Sequence, residues 1–98
     1  MKAQLIDKIT FTEEIVRERS ITPVLERLGK HESTMELWWN GNCYYIEWGI
    51  PELDEGECIG IEVQENTKIV TGYDGIMCIP EQAIQLLKKN GFNTDEIE

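Results

Sequence analysis

The sequence predicts an α+β protein: an antiparallel sheet of about four strands, arranged as two hairpins, with helices packed on one face. Three observations predict it. An Asn-Gly pair separates two alternating apolar runs, a second alternating region follows, and amphipathic stretches bounded by Pro and Gly flank both.

Residues 3–11 fit two readings. Leu5, Ile9 and Phe11 suit strand alternation, whereas Leu5, Ile6 and Ile9 share a helix face. Next, "TEEIVRERS" reads as a helix, with Thr12 as its N-cap and Glu13 and Glu14 in the first turn, where carboxylates complement the dipole. A second helix reads from "ITPVLERLGK": Thr22 caps it, Pro23 takes the first helical position, and Gly29 stops it after Val24, Leu25 and Leu28.

Residues 34–49 read as a hairpin about Asn40-Gly41, because a two-residue type I′ turn needs φ > 0 at both positions. That turn sets Trp39 against Asn42, Leu37 against Tyr44, Met35 against Ile46 and Ser33 against Trp48. Cross-strand partners share a face. Met35, Leu37, Trp39, Tyr44, Ile46 and Trp48 therefore form the core side, with Glu36, Trp38, Cys43, Tyr45 and Glu47 opposite. Residues 49–57 form a long acidic connection. A second hairpin joins "ECIGIEVQ" to "TKIVTGY" near Glu65-Asn66; Ile59, Ile61 and Val63 alternate, and either Ile69 or Val70 points inward. "YDG" reads as a turn and "IMCI" as a short extended piece. The clearest helix is "PEQAIQLLKKNGF": Pro80 and Glu81 start it, Ala83, Ile84, Leu86 and Leu87 form the stripe, and Gly91 ends it with Phe92 folding back. The chain reads as one domain over residues 1–98, with 93–98 expected to fray.

The charge is unevenly placed. Between His31 and Thr67 there are nine acids and no Lys or Arg, while the flanks hold the other ten acids and all nine basic residues. Nearly all of the net charge of −10 thus belongs to the middle third. That balance disfavours direct nucleic-acid binding and adsorption to an anionic membrane, so neither is expected, and it favours a basic protein surface. No apolar run is long enough to span a bilayer, and "MKAQLIDKITF" lacks the uninterrupted apolar core of a signal peptide, so the expected location is cytoplasmic. Cys43, Cys58 and Cys78 are odd in number and widely spaced; they read as reduced and mostly buried.

No chemistry-bearing motif is complete. His31, the single histidine, has no nucleophile in a recognisable context. Cys43, Cys58, Cys78 and His31 arrive singly rather than in the close pairs of a zinc site. "PELDEGE" lacks the spacing of a calcium loop, and the glycines form no phosphate cradle. "RERS" at 17–20 reads as a solvated helix face rather than a modification site. The expectation is a non-enzyme without catalytic residues, metal or cofactor.

What rises above this background is the side of the hairpin away from the core. Trp38 and Tyr45, with Glu36 and Glu47 beside them, resemble in composition the centre of a protein interface. The alternative is that the N-terminal segment or the 49–57 connection folds over the two rings. The functional expectation is an acidic protein-binding module, a small inhibitor or regulator docking on a basic partner. Trp38 and Tyr45 anchor it, and Glu36, Glu47, Glu52, Asp54, Glu55 and Glu62 steer the encounter. Two other readings use the same region: a homodimer or larger homo-oligomer closed through that face, or a small-molecule-binding domain with residues 49–57 as a lid.

Overall fold

The computed structural model describes residues 2–18 and 25–98. Five strands follow in chain order: β1 (Gln4–Glu18), β2 (Leu25–Trp39), β3 (Tyr44–Ile50), β4 (Glu55–Val63) and β5 (Val70–Asp74). Each pairs antiparallel with the next, so the sheet is a plain meander in the order β1-β2-β3-β4-β5. One short α-helix, α1 (Glu81–Lys89), completes the fold.

The expected helix-covered, four-stranded arrangement is therefore corrected to a five-stranded sheet with, among the described residues, a single short α-helix. Both N-terminal helices are replaced over the part of their length that is described. Residues 12–18 and 25–28 lie in β1 and β2, whose pairing runs from Gln4↔Trp39 to Glu18↔Leu25. Local cap and stop signals are weak compared with the long cross-strand ladder that joins β1 to β2, and the Thr- and Ile-rich run from Ile9 to Val16 fits a pleated surface well. Gly29, read as a helix stop, instead sits within β2 at φ 85, beside the register shift between Ile15 and Val16. The proposed cap Thr22 and Pro23 lie outside the described residues.

The central hairpin keeps its predicted faces with a different register. Trp39 pairs with Tyr44, Trp38 with Tyr45, Leu37 with Ile46 and Met35 with Trp48, so the loop is residues 40–43 rather than Asn40-Gly41 alone. Asn40 causes this. Its side-chain Oδ1 accepts from the amides of Asn42 (2.9 Å) and Cys43 (2.8 Å), and only Gly41 of the pair takes positive φ. An Asn that bonds its own following amides favours this wider turn over type I′. The slip is two residues, and a shift of two leaves every side chain on its face.

Met35, Leu37, Ile46, Ile59 and Val70 are fully buried on one side of the sheet, against Ala83, Ile84, Leu86 and Leu87 of α1. Each such side chain contributes about 1.5–3 kcal/mol. The ambiguity in β5 is resolved: Val70 points inward, and Ile69 forms a bridge to Asn93. The helix ends as its sequence predicts. Gly91 at φ 85 lets the Phe92 amide reach the Leu87 carbonyl (3.1 Å) and its own amide reach Lys88 (3.0 Å). Phe92 then packs edge-on against Tyr44, with ring centroids 4.9 Å apart. Residues 93–98, expected to fray, are held in place. Asn93 exchanges backbone bonds with Val70 and Lys68 (2.8 Å each), Thr94 is buried, and Glu98 bonds both Lys88 and Thr94.

Candidate functional site

Alternation fixes the two sides of the sheet, and α1 covers one of them. On the other side the cross-strand pairs place Leu5, Trp38, Tyr45, Gly60 and Asp74 in one row. The next row is Lys8, Glu36, Glu47 and Cys58, and beyond it come Thr10, Thr34, Gly49 and Gly56. Four of the expected site residues, Glu36, Trp38, Tyr45 and Glu47, are thus gathered at the centre of the helix-free face.

Trp38 and Tyr45 are directly opposed and stacked, 6.3 Å between centroids and 6° between planes. Neither of the expected covers closes over them. The N-terminal segment is β1, which flanks Trp38 in the sheet through a Leu5 that remains 43% exposed. Residues 49–57 are the end of β3, a single 3₁₀ turn (Pro51–Leu53) and the start of β4, so they form no lid. Both rings are half-buried. The indole N–H of Trp38 is buried and has no hydrogen-bond partner among the described residues. Burial raises the Tyr45 phenol above its ordinary value, with the charge of Glu47 adding to it.

Glu36 and Glu47 are also directly opposed. Like charges facing across a strand pair are unfavourable, and Lys8, paired with Glu36, relieves only one end of the row. Beside them is a dish of about 380 Å³, with Glu36, Glu47 and Cys58 on its walls and the paired glycines Gly49 and Gly56 as its floor. The floor is bare backbone, open to a side chain laid flat on it.

The other expected residues lie elsewhere. Glu62 is on the same face, further along β4, with its carboxylate over Gly72. Glu52 is in the 3₁₀ turn and binds His31 Nδ1 at 2.8 Å, while His31 Nε2 meets the Leu28 carbonyl at 2.8 Å. Both ring nitrogens face acceptors, an arrangement that favours the imidazolium over the neutral ring. The Glu52 carboxylate, then the Leu28 carbonyl, raise its pKa above the ordinary value. Asp54 and Glu55 line an adjoining concavity of about 690 Å³, with Glu13, Glu57, Trp48 and Ile50. The acids therefore form two groups: Glu36, Glu47 and Glu62 surround the aromatic face, while Glu52, Asp54 and Glu55 stand at the β3–β4 turn.

Sequence reasoning missed the glycine floor and Cys58. The alternation of β4 puts Gly56, Cys58 and Gly60 on one side, a signal visible in "EGECIGIEV" once its register with β3 is known. All three cysteines are free and exposed, which corrects the expectation of burial. Although Cys58 is exposed as a residue, neighbouring atoms partly desolvate its thiol; this, and then the Glu47 and Cys43 charges, hold it above its ordinary pKa, so it is a poor nucleophile at neutral pH. Among the described residues no cluster of His, Cys, Asp and Glu could hold a metal ion, and no helix is long and apolar enough to cross a membrane. No protein family, characterised protein or solved structure matches the chain.

Proposed function

We propose that this protein is a non-enzymatic binding module whose helix-free sheet face docks on a basic protein surface, acting as a small inhibitor or regulator of that partner. The observation that supports this reading best is the stacked Trp38–Tyr45 pair beside the opposed Glu36 and Glu47. Two rings already stacked lose little freedom on binding, which is what makes aromatic residues efficient interface anchors. A Lys or Arg entering the dish meets two carboxylates on its walls and bare backbone beneath its stem, and it relieves the repulsion between them. Trp38 and Tyr45 stand in the neighbouring row, outside the dish, and offer ring surface to the partner beside that contact. Glu52, Asp54, Glu55 and Glu62 act at longer range, raising the rate of encounter rather than making the central contacts.

Closing the same face onto a second copy is the weaker reading, because it would bring Glu36 and Glu47 against their own equivalents. The test is fluorescence anisotropy with a labelled Lys/Arg-rich peptide at low and high salt. It is joined by chemical crosslinking of endogenous basic partners under the same conditions. Trp38→Ala and the double change Glu36→Gln/Glu47→Gln should each weaken binding at least about tenfold, and Glu65→Gln, on the distant β4–β5 loop, should leave it unchanged. Binding that is insensitive to salt, or equal in all these variants, refutes the proposal.

A further inference from the structure

The two edges of the sheet are treated differently. At β5 the chain covers itself, since Asn93 bonds Val70 and Lys68 through the backbone. At β1 no described element pairs with the outer edge, although β1 is 15 residues long. A long open edge is a template for another strand. Among the described residues, three of the four exposed large apolar side chains also lie on β1: Leu5, Ile6 and Val16.

From these features we infer that β1 pairs antiparallel with β1 of a second copy, about a two-fold axis through Phe11. The register follows from the strand itself. Its pairing with β2 shifts between Leu5 and Asp7 and again between Ile15 and Val16, which leaves residues 7–15 as the regular stretch. Phe11 is the midpoint of that stretch. An axis there sets Lys8 against Glu14 of the other copy, and the symmetry makes that ion pair twice. Thr10 falls opposite Thr12, also twice, and Ile6 comes beside Val16. The charge and hydroxyl positions of the helix-free face are thus complementary in this register, while on the other face Asp7 falls opposite Ile15 and Ile9 opposite Glu13; every pair keeps its side chains on a common face. The Lys8 amide, now bonded to Asp7 Oδ1 at 2.8 Å, would exchange that contact for a ladder bond. The pairing joins two helix-free faces into one continuous surface and does not depend on whether that surface binds a basic partner.

Edge pairing buries less than the roughly 1,000 Å² of a stable interface, so the dimer is expected at about tens of micromolar. Sedimentation velocity across a concentration series tests it. Lys8→Glu and Glu14→Lys should each raise the dissociation constant about tenfold or more, since each turns two attractive pairs into repulsive ones. The two single variants mixed together should form a heterodimer, and the double variant Lys8→Glu/Glu14→Lys should recover self-association. Circular dichroism confirms that each variant keeps its sheet, which matters because Glu14 also pairs with Arg27 within the chain (2.9 Å). A wild-type chain monomeric to about 0.5 mM, where dimers of ordinary weak affinity are populated, overturns the inference. So does a dimer that both single variants leave intact, or charge-swapped partners that fail to recover association.

Discussion

Replacing Glu47 by Gln should stabilise the protein while weakening its binding. Glu47 directly faces Glu36, and their row offers one cation, Lys8, on the far side of Glu36. A directly opposed like-charge pair costs about 0.2–1 kcal/mol, so removing one charge should return about 0.5 kcal/mol. For a domain of this size 1 kcal/mol moves Tm by about 4–8 °C, which gives an expected rise of about 2–4 °C. Thermal unfolding by circular dichroism measures it, and the gain should shrink in high salt as screening removes the repulsion. The same substitution has a chemical readout. The Glu47 charge helps hold the Tyr45 phenol and Cys58 thiol above their ordinary pKa values, so both should titrate lower in the variant, though burial keeps them raised. Thiol reactivity against pH, measured with Cys43 and Cys78 replaced by Ser, reads this directly. A variant with unchanged or lower Tm, and with no change in Cys58 titration, would show that Glu47 does not act on its neighbours as the register requires.

Other expectations follow from single contacts. His31 has a folded pKa raised above its ordinary 6.5, so its stabilising contact with Glu52 is complete below that value and is lost as pH rises through the raised one. The Tm difference between wild type and His31→Gln should therefore be larger at about pH 6 than at about pH 9. Gly75→Ala places a Cβ 2.4 Å from the Cys58 carbonyl oxygen at φ 91, and should lower stability by at least about 2 kcal/mol in a denaturant titration. Gly56→Ala meets nothing closer than 3.5 Å; it should leave Tm unchanged or raised, yet weaken peptide binding by filling the dish floor. Phe92→Ala removes the ring that packs on Tyr44 and closes the helix, at a cost of about 3–5 kcal/mol by calorimetry.

The sequence announced some elements and hid others for identifiable reasons. In residues 34–49 the inward positions Met35, Leu37, Ile46 and Trp48 are all apolar, so the faces could be read even though the loop is two residues longer than expected. Parity protects that reading. In β1 and the first half of β2 the inward set includes Glu13, His31 and Ser33. Polar residues at inward positions erase strand alternation, and the cap and stop signals around Thr12 and Gly29 then dominate a local reading. The structure shows what these residues do. His31 is satisfied by Glu52 and Leu28, whereas one carboxylate oxygen of Glu13 and the Ser33 hydroxyl are buried without hydrogen-bond partners among the described residues. The C-terminal helix was legible because the Pro80-Glu81 start, the apolar stripe and the Gly91 stop agree within one short segment.

The aromatic half of the candidate site was legible for the same reason of parity, since Trp38 and Tyr45 share a face in either register. Its other half could not be read, because a glycine floor exists only where two strands bring Gly49 and Gly56 together. The side chains of β4 sharpen the contrast. Toward the helix it carries Ile59 and Ile61, fully or nearly fully buried; away from it stand Gly56, Cys58 and Gly60. Each strand glycine costs about 0.5–1 kcal/mol relative to alanine. At Gly56 and Gly60 an added Cβ would meet only ordinary contacts of 3.5 Å or more. Folding alone would therefore favour a larger residue at both positions. A contact that needs the backbone exposed, such as a basic side chain lying across the dish, would give Gly56 a use that packing within the chain does not.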